Sequence, residues 1–188
     1  MKQLDRLKQQ LRQGEVYRRV DIEQWSTSVD RHLQELVKDG TLEKLGNGMY
    51  YVPKQSAFGK APAKDNDLVK TFLKDNRFLI TTSNDYNALG LGTTQLYNTR
   101  KVYNYKRHGE VKLGNRVFYF VRKPYVPEAI TKEFLLVDLV NNLNDLAEDQ
   151  TAVLEKVKEK ADCMNKERLI DMASKFGKVA TRKFFHSL

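Results

Sequence analysis

Cysteine is almost missing from the 188 residues: Cys163 stands alone, so the chain can form no internal disulfide and no thiolate metal cluster. Histidine is nearly as scarce. His32, His108 and His186 are scattered, and none pairs with a carboxylate or a cysteine at metal-ligand spacing. Long apolar runs are missing too, since none approaches the roughly 20 residues that cross a bilayer. The opening Met1-Lys2-Gln3-Leu4-Asp5-Arg6 is charged where a signal peptide is apolar. These absences predict a soluble, cytoplasmic protein without a metal or a cofactor.

Catalytic signatures are equally thin. Cys163 has no histidine near it in sequence, Gly90-Leu91-Gly92 is too short for a dinucleotide fingerprint, and no phosphate-binding loop occurs. Asp65, Asp67, Asp75 and Asp85 are the only aspartates in the basic middle of the chain. They are the residues a metal-dependent nuclease would have to use, but linker and helix-cap roles account for them more simply. No enzyme is expected.

Positive charge is abundant, and its placement is informative. The formal net charge is +9, which favours polyanionic partners such as DNA or RNA. Lys and Arg outnumber Asp and Glu by 13 to 5 over residues 56–127, against 10 to 8 before that stretch and 10 to 11 after it.

Leu4, Leu7 and Leu11 share one face of a first helix, which Gly14 follows. Residues 16–20 are β-prone, and Asp21 is placed to cap a short helix over 22–25. Thr27-Ser28-Val29-Asp30 has the form of a capping box opening a third helix, whose buried stripe is Val29, Leu33, Leu36 and Val37. Gly46-Asn47-Gly48 between two β-prone runs predicts a hairpin ending at Pro53. Helix, short helix, capped helix and hairpin, within about 50 residues, predict a winged helix-turn-helix. Residues 54–67 have linker composition, and 68–188 are expected to form a second, mixed α/β domain. In it, strands over 102–106, 110–113 and 117–122 are expected to be antiparallel. A long helix carrying Leu136, Leu139, Val140, Leu143 and Leu146 follows, and the tail from 151 is helical by pattern. The fold class expected is α+β.

On the third helix, Thr27, Arg31, Gln34 and Lys38 line the face opposite the buried stripe. Arginine pairs with guanine and glutamine with adenine in the major groove, while Lys and Thr can reach phosphates, and Ser28 joins them as a candidate DNA-binding residue. The same inventory fits a plain solvated face, and the hairpin directly after it favours the DNA reading. Lys44 and Asn47 sit at or beside the hairpin tip, and Arg18 and Arg19 precede the second helix as candidate phosphate contacts.

A second basic stretch holds Arg100, Lys101, Lys106, Arg107, Lys112, Arg116, Arg122 and Lys123 against Glu110 alone, interleaved with Tyr97, Tyr103, Tyr105, Phe118, Tyr119 and Phe120. Three readings stay open: core aromatics with solvated charges, a second nucleic-acid contact, or a surface for an acidic protein.

The run from Val29 through Gly40 to Tyr50 resembles the end of the winged helix in AbiEi-like proteins, the antitoxin and transcriptional-regulator components of type IV toxin-antitoxin systems. Asn84-Asp85-Tyr86-Asn87-Ala88-Leu89-Gly90-Leu91-Gly92-Thr93 is similar to a helix of that family's second domain, and the resemblance covers roughly residues 5–147. It implies an antitoxin that represses its own operon through the N-terminal domain and neutralises a nucleotidyltransferase-like toxin through the C-terminal one. One departure is Asn47, where the family often carries arginine before the tip glycine. The alternative class is a protein-interaction module, or a nonspecific nucleic-acid binder using the basic sheet.

Overall fold

The structure, a computed structural model, describes residues 3–91, 100–146 and 149–188. Tyr97, Gly92 and Thr93, invoked above, lie outside the described residues. Helices and sheets are mixed along the chain, as the α+β expectation has it. No described helix is long and apolar enough to cross a membrane. Two compact units share the chain: Met1–Asn76 with Val111–Val117, and Arg77–Glu110 with Phe118–Leu188.

The first unit opens with α1 (Gln3–Gln10), β1 (Val16–Arg18), α2 (Arg19–Glu23) and α3 (Val29–Lys38). Strands β2 (Glu43–Gly46) and β3 (Met49–Tyr51) form a hairpin, and β1 pairs with the other edge of β3, giving the order β1-β3-β2. The hairpin turn uses Asn47 at φ 52° and Gly48 at φ 69°. Two successive residues with positive φ match the right-handed twist of the flanking strands, which is why the Asn-Gly pair specifies this turn. Leu7, Ile22, Val29, Leu33, Leu36, Leu42 and Val52 form the core, with Tyr17 set edge-on to Trp25 at 5.9 Å beside it. Burying Leu33 and Leu36 contributes about 1.5–3 kcal/mol each.

Two expectations are corrected here. Residues 54–67 are not a linker: β4 (Lys54–Ser56) and β5 (Gly59–Ala61) make a second hairpin, and α4 (Asp65–Leu73) begins within the same stretch. Its small and polar residues still find partners. Tyr51 donates its hydroxyl to the Ala61 carbonyl at 2.8 Å, and Ser56 Oγ spans the turn to the Gly59 carbonyl at 2.7 Å. The division between units falls after Asn76 instead. The capping box at α3 does not form either. The cap is Ser28, without a side-chain cap bond, because Asp30 turns to Arg19 and Thr27 shares its hydroxyl with Gln3.

The second unit holds a buried helix and the larger part of a four-stranded sheet, whose residues 111–113 and 116–117 are counted with the first unit. Strands β6 (Phe78–Thr82), β7 (Arg100–Asn104), β8 (Gly109–Leu113) and β9 (Arg116–Arg122) have the order β6-β7-β9-β8. Antiparallel pairing holds for β6 with β7, but β7 and β9 run parallel, which corrects the expected all-antiparallel meander. The chain leaves β7, passes to the sheet edge as β8, and returns between them. Buried Asn104 makes this crossing possible: its Oδ1 accepts from the amides of Lys106 (2.9 Å) and Arg107 (2.6 Å), and its Nδ2 donates to the Arg107 carbonyl at 3.0 Å. The turn's polar backbone is thereby satisfied by one side chain.

Between β6 and β7 the chain makes a 3-10 turn, Ser83–Leu89. After the sheet, α5 (Lys132–Asn141) is apolar nearly all round, and all of residues 134–139 are buried. A helix without a polar face belongs inside, and α7 (Lys166–Phe176) and α8 (Val179–His186) pack on it, as does α6 (Gln150–Asp162). The helix ends at Asn141 rather than running to Leu146. Asn142 Nδ2 takes the Asp138 carbonyl at 2.8 Å, competing with the backbone for it, and a 3-10 turn over Leu143–Asp145 follows.

Candidate nucleic-acid interface

In the first unit, α3 separates its two faces cleanly. Val29, His32, Leu33 and Leu36 are buried, while Arg31, Gln34 and Lys38 are exposed. His32 was not foreseen in the buried stripe, although its position three residues after Val29 and four before Leu36 places it there. Its Nδ1 lies 2.7 Å from Ser26 Oγ, and Arg31 Nη2 donates to its Nε2 at 3.4 Å. Ser26 Oγ in turn accepts from the Ser28 amide at 3.2 Å. A buried Ser26–His32 pair thus anchors the loop that feeds α3.

Arg31 also approaches Glu35 at 3.7 Å, with two-thirds of its side chain still accessible. The side chains of Gln34 and Lys38 have no hydrogen-bond partner among the described residues. Thr27 is exposed, and its hydroxyl exchanges hydrogen bonds with the Gln3 side-chain amide at 3.0 and 3.1 Å. Gln3 therefore joins this edge of the surface, a neighbour that sequence spacing had no means of revealing. Ser28 is half-buried as the helix cap.

The arginines ahead of α3 are engaged within the fold. Arg18 donates to Asp21 through Nε at 2.9 Å and Nη2 at 2.5 Å, and its amide bonds the same carboxylate at 3.0 Å. These bonds hold the Asp21 carboxyl below its ordinary pKa. Arg19 grips Asp30 and reaches Glu23 at 3.4 Å. Its hydrogen bonds lower the Asp30 pKa in the same way. Arg18 thus closes on α2 itself, and Arg19 links α2 to α3 through a solvent-accessible pair.

On the hairpin, Lys44 is exposed on β2, and Asn47 spends its amide on the Lys112 carbonyl at 3.3 Å. Lys112 itself is exposed. Arg116 points inward, bonding the Ala63 carbonyl at 2.7 Å and forming an ion pair with Asp65.

The remaining basic residues do not form one surface. Lys101 donates to Asn142 Oδ1 at 2.8 Å and sits 3.7 Å from Asp145, so it faces the helices. Arg100 is half-buried, and Phe118 and Phe120 are fully buried, as the core reading of the aromatics has it. Lys106, Arg107 and Arg122 are exposed, and the β7–β9 register sets Arg122 beside Asn104, just before the other two. Lys123 is half-buried with its ammonium 4.8 Å above the Phe176 ring, and burial lowers its pKa.

A polar cluster lies deeper in the second unit. Asp138, fully buried on α5, accepts from Tyr103 at 2.5 Å, Tyr86 at 2.8 Å and Asn142 Nδ2 at 2.9 Å. Burial raises the pKa of the carboxyl, and burial beside that carboxylate raises both phenols. The arrangement is a satisfied knot that ties β7 and the 3-10 turn over Ser83–Leu89 to α5. Next to Tyr86 on that turn, Asp85 accepts from the Thr82 amide at 2.6 Å and so caps it.

Comparison of the chain with family models and with curated proteins yields no match.

Proposed function

We propose that the first unit is a winged helix-turn-helix that binds duplex DNA, and that the protein is a transcriptional regulator rather than an enzyme. What carries the reading is α3: Arg31, Gln34 and Lys38 stand exposed opposite Val29, Leu33 and Leu36, directly ahead of the Asn47-Gly48 hairpin. In the proposed complex, Arg31 and Gln34 read base edges and Lys38 and Lys44 meet phosphates. Arg18 and Arg19 act as braces. The resemblance to AbiEi-like proteins extends the proposal to a cytoplasmic antitoxin that represses its own operon and pairs with a nucleotidyltransferase-like toxin.

A fluorescence-anisotropy titration tests this, with a duplex from the upstream region of the coding sequence and a scrambled duplex, each at two salt concentrations. Tighter, salt-sensitive binding to the upstream duplex is expected. Equal binding to both would favour sequence-independent contact through Lys106, Arg107 and Arg122. Binding to neither would remove the DNA reading and leave a protein-interaction module.

A further inference from the structure

We propose that a cavity of about 360 Å³ in the helical part of the second unit binds a small amphiphilic carboxylate of the medium-chain fatty-acid type. Val140, Leu143, Leu154 and Phe184 supply apolar wall, and Thr181 and Lys178 stand among them. The volume is at the lower end of the roughly 300–1,000 Å³ usual for small-molecule sites.

Thr181 is the telling residue. It is 2% exposed, and among the described residues nothing hydrogen-bonds its hydroxyl. Native structures pair nearly all their buried polar atoms, and an orphan on a cavity wall indicates a group that the cavity receives. Lys178 supplies the charge. Its Nζ donates to the Asn141 carbonyl at 2.6 Å, which uses one of three N–H donors and leaves two.

Asn141 is committed on both sides, donating to the Phe176 carbonyl at 3.3 Å and accepting from the Lys178 amide at 2.7 Å. That arrangement holds Lys178 in place. A carboxylate between Lys178 Nζ and Thr181 Oγ1 would satisfy the orphaned hydroxyl, with the tail lying against the four apolar side chains. One cation, beside a wall whose polar groups include Asn141, Asn144 and Thr181, suits a monocarboxylate with an apolar tail better than a phosphate.

The test uses the full chain with sodium octanoate and octan-1-ol, titrated by calorimetry and followed by NMR. Octanoate is expected to bind one equivalent with a Kd below about 1 mM, and octan-1-ol about tenfold more weakly. Thr181→Val keeps the shape and removes the hydroxyl, so it should weaken octanoate about tenfold without lowering the melting temperature. Leu154→Trp fills the cavity and should abolish binding. The proposal is overturned by an absence of saturable octanoate binding, by equal affinity for the alcohol, or by unchanged affinity in Thr181→Val. The last readout stands even if Leu154→Trp fails to fold.

Discussion

Arg19 holds Asp30 through two parallel contacts, Nε to Oδ1 at 2.7 Å and Nη2 to Oδ2 at 2.8 Å. The fork geometry of guanidinium on carboxylate joins the start of α2 to the first turn of α3. It also places a carboxylate beside the surface proposed to meet DNA. Asp30→Asn is therefore expected to tighten binding to any duplex at low salt, with the gain shrinking as salt rises. Arg19→Ala should leave the melting temperature nearly unchanged, since both groups are solvent-accessible. Anisotropy on the two variants checks this, and weaker duplex binding by Asp30→Asn would reverse the assignment of Asp30 as an electrostatic opponent.

The exposed face of α3 makes a sharper prediction. Arg31→Ala should cost about 1–3 kcal/mol on the preferred duplex and relax selectivity at one base pair. Lys38→Ala should weaken all duplexes alike and reduce the slope of log K against log salt by about 1. Competition assays on single-base-pair variants of the duplex distinguish the two patterns. An Arg31→Ala protein with unaltered preference takes that residue out of the contact set.

Asp39 accepts from Lys8 Nζ at 2.6 Å and from the Thr41 amide at 2.9 Å. The Lys8 hydrogen bond is the largest cause, and the carboxyl falls to about 2 from its ordinary 3.8. A depressed acid stabilises the folded state above its unfolded pKa, and the contribution disappears as pH falls through the folded one. The melting temperature of the parent should exceed that of Lys8→Met at pH 6, modestly because both side chains are 40% exposed. The gap should close between pH 4 and about 2. A gap that persists unchanged at pH 2 would assign the effect to packing of the lysine stem.

In the second unit, Tyr103→Phe removes one donor from buried Asp138 and keeps the ring that meets Phe176 edge-on at 4.9 Å. Loss of about 1–3 kcal/mol in urea unfolding is expected, since a buried carboxylate loses a partner. A variant as stable as the parent would mean that the carboxyl carries its own proton in the fold.

The elements that sequence made legible are those whose period reports a buried face. The α3 stripe and the Asn47-Gly48 turn belong to this class, because side-chain spacing within one element is local information. Partnerships across the chain left no such trace. Tyr86 and Asp138 are 52 positions apart, and an aspartate inside Phe134-Leu135-Leu136-Val137-Asp138-Leu139 reads only as an interruption. Likewise Arg18 and Arg19 look like available cations until the folded chain supplies Asp21 and Asp30. The parallel β7–β9 pair depends on how Asn104 binds the turn after it, which no alternation pattern encodes.

The first unit takes in residues 111–117, a segment whose flanking residues belong to the second. The polypeptide consequently passes from one unit to the other three times, after residues 76, 110 and 117. No single cut separates the two units cleanly, because any fragment that holds all of one also carries residues of the other. A fragment ending at residue 76 would leave Asp65 without Arg116 and Leu45 without the Gly114 amide that its carbonyl accepts at 2.7 Å. Recombination that treats the first 76 residues as an exchangeable cassette would break these contacts, so the two units are bound to be inherited together.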